Sequence, residues 1–396
     1  MPELFRPASR IEADGIGEVL RAIVGPDHVQ LATEEDAVAG ITPLVIVEPA
    51  DERQAASVLR CANQAGLAVI PRGGGTKLDW GNPPRSADII LSLGRMNRLL
   101  EHAWADLTVT VEAGCTIAEL QRTLAAHGQR LAVDPLWPER ATVGGILATN
   151  DSGVLRLAFG ALRDLIIGVT LALADGTIAS SGGKVVKNVA GYDLPKLATG
   201  SVGTLGVITR AVFRLHPLPR NSRTLNIAAS DAAEMQRVIL AILGAQLAPA
   251  AVQARNGNID ILLEGTLDGI AAQESTIKAF GPVREGSPQV WRAREELLSD
   301  RPIVKFTTLP SGIAAAAARF SRYVMQATGI GYAHFEGDVQ TLRTALEQDG
   351  GSLMILGRTP LDAWGSPGDA LPLMRAVKEQ FDPKSTLNPG RFVGGI

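Results

Sequence analysis

Cysteine is nearly absent, with only Cys61 and Cys115 in 396 residues. Two thiols cannot build a disulfide framework or ligate an iron–sulfur cluster, and they fit a reducing compartment. Histidine is scarce as well: among His28, His102, His127, His216 and His334 no two are spaced to chelate a metal together, so no metal site is expected. Long apolar runs are also missing. Leu165 to Ala174 is interrupted by Gly168 and Thr170 and is about half a membrane span. Met1 to Arg21 alternates charged and apolar residues without the apolar block of a secretory signal. A cytoplasmic location follows as the expectation, with no direct membrane insertion and any membrane contact made through a partner. Nor is there a basic excess. The net charge of −3 argues against a nucleic-acid partner.

What is present is an ordinary globular composition, 46% hydrophobic and 20% charged, in a chain long enough for two domains. Glycine is concentrated in a few places. Pro71-Arg-Gly-Gly-Gly-Thr-Lys77 follows the apolar run Leu67 to Ile70. Three glycines clear every Cβ from one stretch of backbone, so its N–H groups can close around an anion such as a diphosphate, with Arg72 and Lys77 at the rim. The same stretch also reads as a glycine-rich turn. A Rossmann loop is excluded because the segment runs into Pro83-Pro84 instead of opening a helix. A P-loop is excluded because Gly183-Lys184 has Val185 after it and Ile178 where the first glycine belongs.

The flanking pattern is strand, helix, strand. Pro43 to Val47 is β-branched; Asp51 and Gln54 form a capping-box pair for a helix that Gly66 ends; Leu67 to Ile70 is the next strand. Strands are expected at 88–93, 108–112 and 205–213, and a hairpin at 171–180 turning on Asp175-Gly176. Thr116 and Glu119 open a further helix ending near Gly128. Past the proline-bearing stretch His216 to Pro219, helices at 231–246, 269–280, 313–327 and 338–348 alternate with strands at 259–264, 329–335 and 352–356, which fits a split βαβ, ferredoxin-like layer without an internal sequence repeat. A last helix, 371–381, leads into a tail shaped by Pro383, Pro389 and Gly390.

A second glycine-rich segment, Ala141 to Gly153, offers Thr142, Thr149, Asn150 and Ser152 to a polar ligand, with Asp134-Pro135 upstream able to line the same cavity. These two segments, followed in order by Gly160 with Arg163-Asp164, Gly191-Tyr192-Asp193-Leu194, Gly200 to Thr209, and the tail Phe381 to Arg391, resemble the FAD-binding domain of the vanillyl-alcohol oxidase or p-cresol methylhydroxylase superfamily. The resemblance covers residues 40–215 and the tail. It implies an α+β chain: a two-lobed FAD-binding domain at 1–220, a smaller ferredoxin-like α+β domain at 221–370, and a C-terminal segment, 371–396, returning to the flavin.

The resemblance further implies that Pro71, Arg72, Gly73, Gly74, Gly75, Thr76 and Lys77 hold the pyrophosphate. Pro135 and Thr142 join the cofactor-binding set, Gly144, Gly145, Ala148, Asn150, Ser152 and Gly153 lie along the ribityl chain and flavin, Val207 and Ile208 on the adenine side, and Asn388 and Arg391 approach from the second domain. Some members attach FAD through a histidine at the place of Thr76, so non-covalent FAD is expected. Gly182 to Asp193 and the short length are similar to the small FAD-binding subunits of glycolate oxidases. That implies oxidation of a small 2-hydroxy acid, glycolate to glyoxylate, within a complex containing a larger flavoprotein and an iron–sulfur subunit, through which a peripheral position at the inner membrane would arise. An independent D-lactate-type dehydrogenase and a non-catalytic flavin-binding subunit are the alternatives. The chain departs from the larger relatives in lacking their histidine-rich motif. Lys187, Tyr192 and His334 are the candidate catalytic residues, and the carboxylate-binding arginine is open among Arg292, Arg294, Arg322 and Arg358.

Overall fold

Asp51 caps the helix Glu52–Ala65 by accepting the amides of Arg53 and Gln54, while Gln54 returns the bond to the Ala50 amide at 2.7 Å. Gly66 ends that helix in the left-handed conformation, φ 67°. The helix joins two strands of a four-stranded sheet in which Val45–Val47 and Val69–Arg72 both run parallel to Ile89–Ser92 between them, with Val29–Leu31 antiparallel at one edge. The computed structural model describes residues 15–183, 192–299 and 303–396.

A five-stranded antiparallel sheet follows, ordered Leu99–Ala103, Thr108–Glu112, Val207–Arg214, Ile166–Ala172 and Ile178–Gly182. The last two form the expected hairpin, turning at Gly176 with φ 84°. Thr116 caps the helix Ile117–Ala125, but Glu119 turns to Arg122 instead of completing a capping box. Both sheets share one apolar core containing Leu59, Ile89, Val111, Leu147 and Phe213. His216–Pro217, expected at a boundary, pairs back with Gln129–Arg130.

From Asn221 onward an eight-stranded antiparallel sheet takes over. It is two copies of one βαββαβ unit. Asn221–Ala228, Ala251–Arg255, Asn258–Gly265 and Val283–Glu285 make the first, with helices Ala232–Gly244 and Leu267–Ile277 after its first and third strands. Ile303–Thr307, Tyr323–Gln326, Ile330–His334 and Ser352–Leu356 repeat the arrangement with helices Ile313–Ala317 and Val339–Gln348. The units meet where Ala251–Arg255 pairs with Tyr323–Gln326. The ferredoxin-like expectation holds and is doubled.

The long helix expected at 313–327 is not formed. It stops at Ala317, and Tyr323 to Gln326 enter the sheet as a central strand, where an aromatic and a β-branched residue pack better than in a helix. Phe320 in the intervening turn stacks on Phe306 with centroids 4.7 Å apart. After the helix Leu371–Phe381 the tail returns to the first sheet: the Val69 amide donates to Thr386 O at 2.7 Å, and the Asn388 amide to Val69 O at 3.0 Å. No helix among the described residues is long and apolar enough to cross a membrane.

Candidate functional site

Strand Val69–Arg72 delivers the chain to Gly73, Gly74 and Gly75, and the neighbouring segment dictates those glycines. A Cβ on Gly73 would lie 2.0 Å from Thr142 Oγ1, and one on Gly74 would lie 1.7 Å from the Arg140 carbonyl oxygen. Gly75 adds a φ of 69°. On the facing segment, Thr142 caps the helix Val143–Thr149, and Gly144 donates its N–H to Ala113 O at 2.8 Å, an approach that leaves a Cβ only 2.9 Å from that of Ala113. The two glycine-rich segments are thus pressed together.

Adjoining cavities run along their junction. One lies between Arg72, Gly144, Val207, Ile208 and Asn388. The next lies among Gly73 to Leu78, Thr149 and Arg391, sharing Gly145, Ala148 and Val202 with the first. A third, of about 250 Å³, opens between Trp80, Thr149 and Asn150 on one side and Lys305, Met354, Trp364 and Phe392 on the other. Among the described residues Lys305 is the only charged one lining this last cavity.

Buried polar atoms without partners converge on this run. Asn388 donates Nδ2 to Val202 O at 2.6 Å, which leaves its Oδ1 unbonded. Asn150 Oδ1 and Arg391 Nε are likewise buried and unbonded. Such atoms are rare in a folded protein unless a ligand or water completes them. Arg391 also donates to the carbonyls of Leu78 and Trp80. Burial pulls its guanidinium down to about 10, against the opposing charge of Asp79, so it stays cationic at neutral pH. A side-chain-free cradle, flanking cations and unbonded amide oxygens together fit a dinucleotide with a diphosphate at its middle.

Beneath the cradle lies an ionic cluster. Lys77 Nζ is 3.2 Å from Asp151 Oδ2, and Arg294 Nη1 is 2.8 Å from Asp151 Oδ1. Arg294 comes from the helix Ala293–Leu297 of the eight-stranded layer and also donates to Asp134 O at 2.7 Å. Burial opposes ionisation of Asp151, but Arg294 and then Lys77 outweigh it and hold the carboxyl well below its usual range. Asp134 is pushed up to about 6 by burial, against Arg294 and the Leu155 and Val154 amides.

Most of the expected residues meet here. Pro71, Arg72, Gly73, Gly74, Gly75, Thr76, Lys77, Thr142, Gly144, Gly145, Ala148, Val207, Ile208, Asn388 and Arg391 line the first two cavities, and Asn150 the third. Pro135, Ser152 and Gly153 line none of them. Ser152 Oγ accepts the Leu162 amide, and Gly153 gives Asp134 its space. Tyr192 is 92% exposed. His334 Nε2 lies 3.2 Å from Leu297 O and lines none of these cavities. Lys187 falls outside the described residues. Lys305, Asp151 and the aromatic wall of Trp80, Trp364 and Phe392 were not anticipated from sequence, although a lone lysine inside the apolar run Ile303 to Phe306 is a visible signal. No group of His, Cys, Asp and Glu that would hold a metal occurs among the described residues.

The fold is that of p-cresol methylhydroxylase. A solved structure of that enzyme with substrate bound superposes with a TM-score of 0.77 over 96% of each chain, at 16% identity. Residues 43–182 match the FAD binding domain family, and residues 366–392 match the FAD linked oxidases, C-terminal domain. Glycolate oxidase subunit GlcD of Bacillus subtilis is 32% identical over 211 residues, covering 53% of this chain and 45% of that one. D-lactate dehydrogenase of Archaeoglobus fulgidus is 29% identical over 413 residues, covering 88% and 91%. The chain spans under half the length of most of the curated relatives it matches, the Archaeoglobus enzyme excepted. Two segments of this chain are thus those of FAD-linked oxidases, set in the fold of p-cresol methylhydroxylase, and its cofactor is FAD.

Proposed function

We propose that this chain is the FAD-binding subunit of a glycolate-oxidase-type complex, oxidising a small 2-hydroxy acid to the 2-oxo acid. The observation that carries the reading is the cavity at the end of the FAD run, where Lys305 is the one charged lining residue among those described. An ammonium there supplies a charge-assisted bond for a substrate carboxylate. Trp80, Trp364 and Phe392 exclude water and strengthen that attraction. FAD, when bound, supplies the acceptor for the two electrons that leave the substrate carbinol. Pro71 to Lys77 with Arg391 would hold its diphosphate, and Asn150 and Asn388 would accept hydrogen bonds from it. Among the described residues no His, Cys or Tyr lines the three cavities, which supports a reading in which FAD is held without a covalent bond.

Among the described residues neither an imidazole nor a carboxylate lines the third cavity, and on this reading the isolated chain works without a general base of the usual kind there. General-base help is worth about 10²–10⁴ in rate. We therefore assign efficient turnover to an assembly with a larger flavoprotein and an iron–sulfur subunit. The end-to-end similarity to a D-lactate dehydrogenase supports a second reading, a self-sufficient D-2-hydroxyacid dehydrogenase. Turnover of glycolate and D-lactate with a dye acceptor, measured on the isolated chain and on whatever complex it co-purifies with, separates the two. The complex reading expects the isolated chain to be slower by two orders of magnitude or more; equal rates promote the independent enzyme. Acid precipitation should release FAD into the supernatant, whereas flavin retained in the pellet contradicts non-covalent binding.

A further inference from the structure

Arg294 touches none of the three cavities, yet it is a buried cation, only 6% exposed. It enters the FAD-binding half from the eight-stranded layer. Its anchor, Asp151, sits one residue beyond the cavity-lining Asn150, and the same carboxylate carries Lys77 of the glycine cradle on its other oxygen. Lys77 is held in place further by the rings of Trp80 and Trp137, each with its centroid 5.7 Å from the ammonium. On the far side Arg294 lies 5.4 Å from the Tyr332 ring centroid, and it donates to Asp134 O. Buried charges so arranged act as a unit, because removing one leaves its partner uncompensated in a low dielectric.

The balance of charge gives this unit a consequence. Lys77, Arg294 and nearby Lys305 face Asp151 and Asp134, which leaves one net positive charge under a site built for a diphosphate. Without Arg294 the sum falls to zero, and Asp151 draws the Lys77 ammonium wholly to itself.

We propose that Arg294 is a positioning residue for the cofactor site: by sharing Asp151 with Lys77 it frees the Lys77 charge for the FAD diphosphate, and so couples seating of the eight-stranded layer to FAD retention. The coupling runs through a residue that the ligand meets, Lys77, and not through any contact of Arg294 with FAD. The inference rests on FAD lying in the glycine cradle.

The test is FAD titration of the apoprotein for wild type, Arg294→Met and Arg294→Lys, each repeated in a Lys77→Met background. Arg294→Met should weaken FAD binding about tenfold or more, equivalent to about 1.4 kcal/mol. Arg294→Lys should recover most of the loss, and in the Lys77→Met background both Arg294 substitutions should change the affinity less than about twofold. If Arg294→Met does not fold, Arg294→Gln, which also removes the charge, carries the same comparison between backgrounds. Equal losses in both backgrounds would make Arg294 a structural residue only and overturn the proposal, as would unaltered affinity in the Arg294→Met single variant. An apoprotein that takes up no FAD overturns the cradle reading itself, and the coupling with it.

Discussion

Lys378 Nζ lies 2.6 Å from Asp382 Oδ2, one helical turn on, and both side chains are buried. The same ammonium donates to Thr204 O at 2.8 Å and to Leu387 O at 3.1 Å, while the Asp382 carboxylate accepts the amides of Thr386 and Leu387. One ion pair therefore fixes the tail against the glycine-rich turn at 200–206 and sets Asn388 over the cofactor cavities. Lys378→Met strands the Asp382 charge and should lower unfolding stability by about 3–5 kcal/mol, with FAD lost in parallel. Chemical denaturation of the holoprotein measures it; a loss under about 1 kcal/mol would show that the tail is held by other means.

Gly74 leaves no room for a methyl group, since the obstacle 1.7 Å away is the Arg140 backbone carbonyl and not a movable side chain. Gly74→Ala should cost about 1–3 kcal/mol and separate the two glycine-rich segments, depleting bound flavin. Flavin content and denaturation midpoint report the two effects. A fully loaded, equally stable variant would contradict the close packing of the cradle.

Asp134 gives a pH signature of definite sign. Its folded value of about 6 lies above the ordinary 3.8, so the folded state holds this proton more tightly than the unfolded one. The stability it contributes is complete below about pH 4 and is lost as pH rises through 6, a change of about 3 kcal/mol at most. Asp151, shifted the other way, acts only below its ordinary value. Unfolding free energy should therefore carry a falling component between pH 4 and 6 that Asp134→Asn removes. Identical slopes in the two proteins would contradict it.

Local chemistry made the cofactor half legible. Three consecutive glycines, the Thr142 cap and the proline-shaped tail each carry their geometry within a few residues. The eight-stranded layer was less so. Its two βαββαβ units share a topology without sharing a sequence, and the alanine run from Ala314 to Ala318 signals helix so strongly that it masks the strand Tyr323–Gln326. Strands Ala251–Arg255 and Ile303–Thr307 are not among those the sequence predicts, although they are as long as Ser352–Leu356, and Lys305 lies in the latter of the two. Arg294 could not be chosen among its fellows because its partner, Asp151, is 143 positions away in the chain.

The central claim is that Lys305 faces a hydroxy-acid carboxylate at the flavin. It is tested most directly by the absorbance spectrum of the purified holoprotein on anaerobic addition of glycolate or D-lactate, in the wild type and in Lys305→Met. The account predicts saturable loss of the oxidised-flavin band in the wild type, however slow, with half-saturation about 10–100-fold higher in Lys305→Met, the loss of one charge-assisted hydrogen bond. A flavin reduced at the same concentrations in both proteins, or in neither, would contradict it.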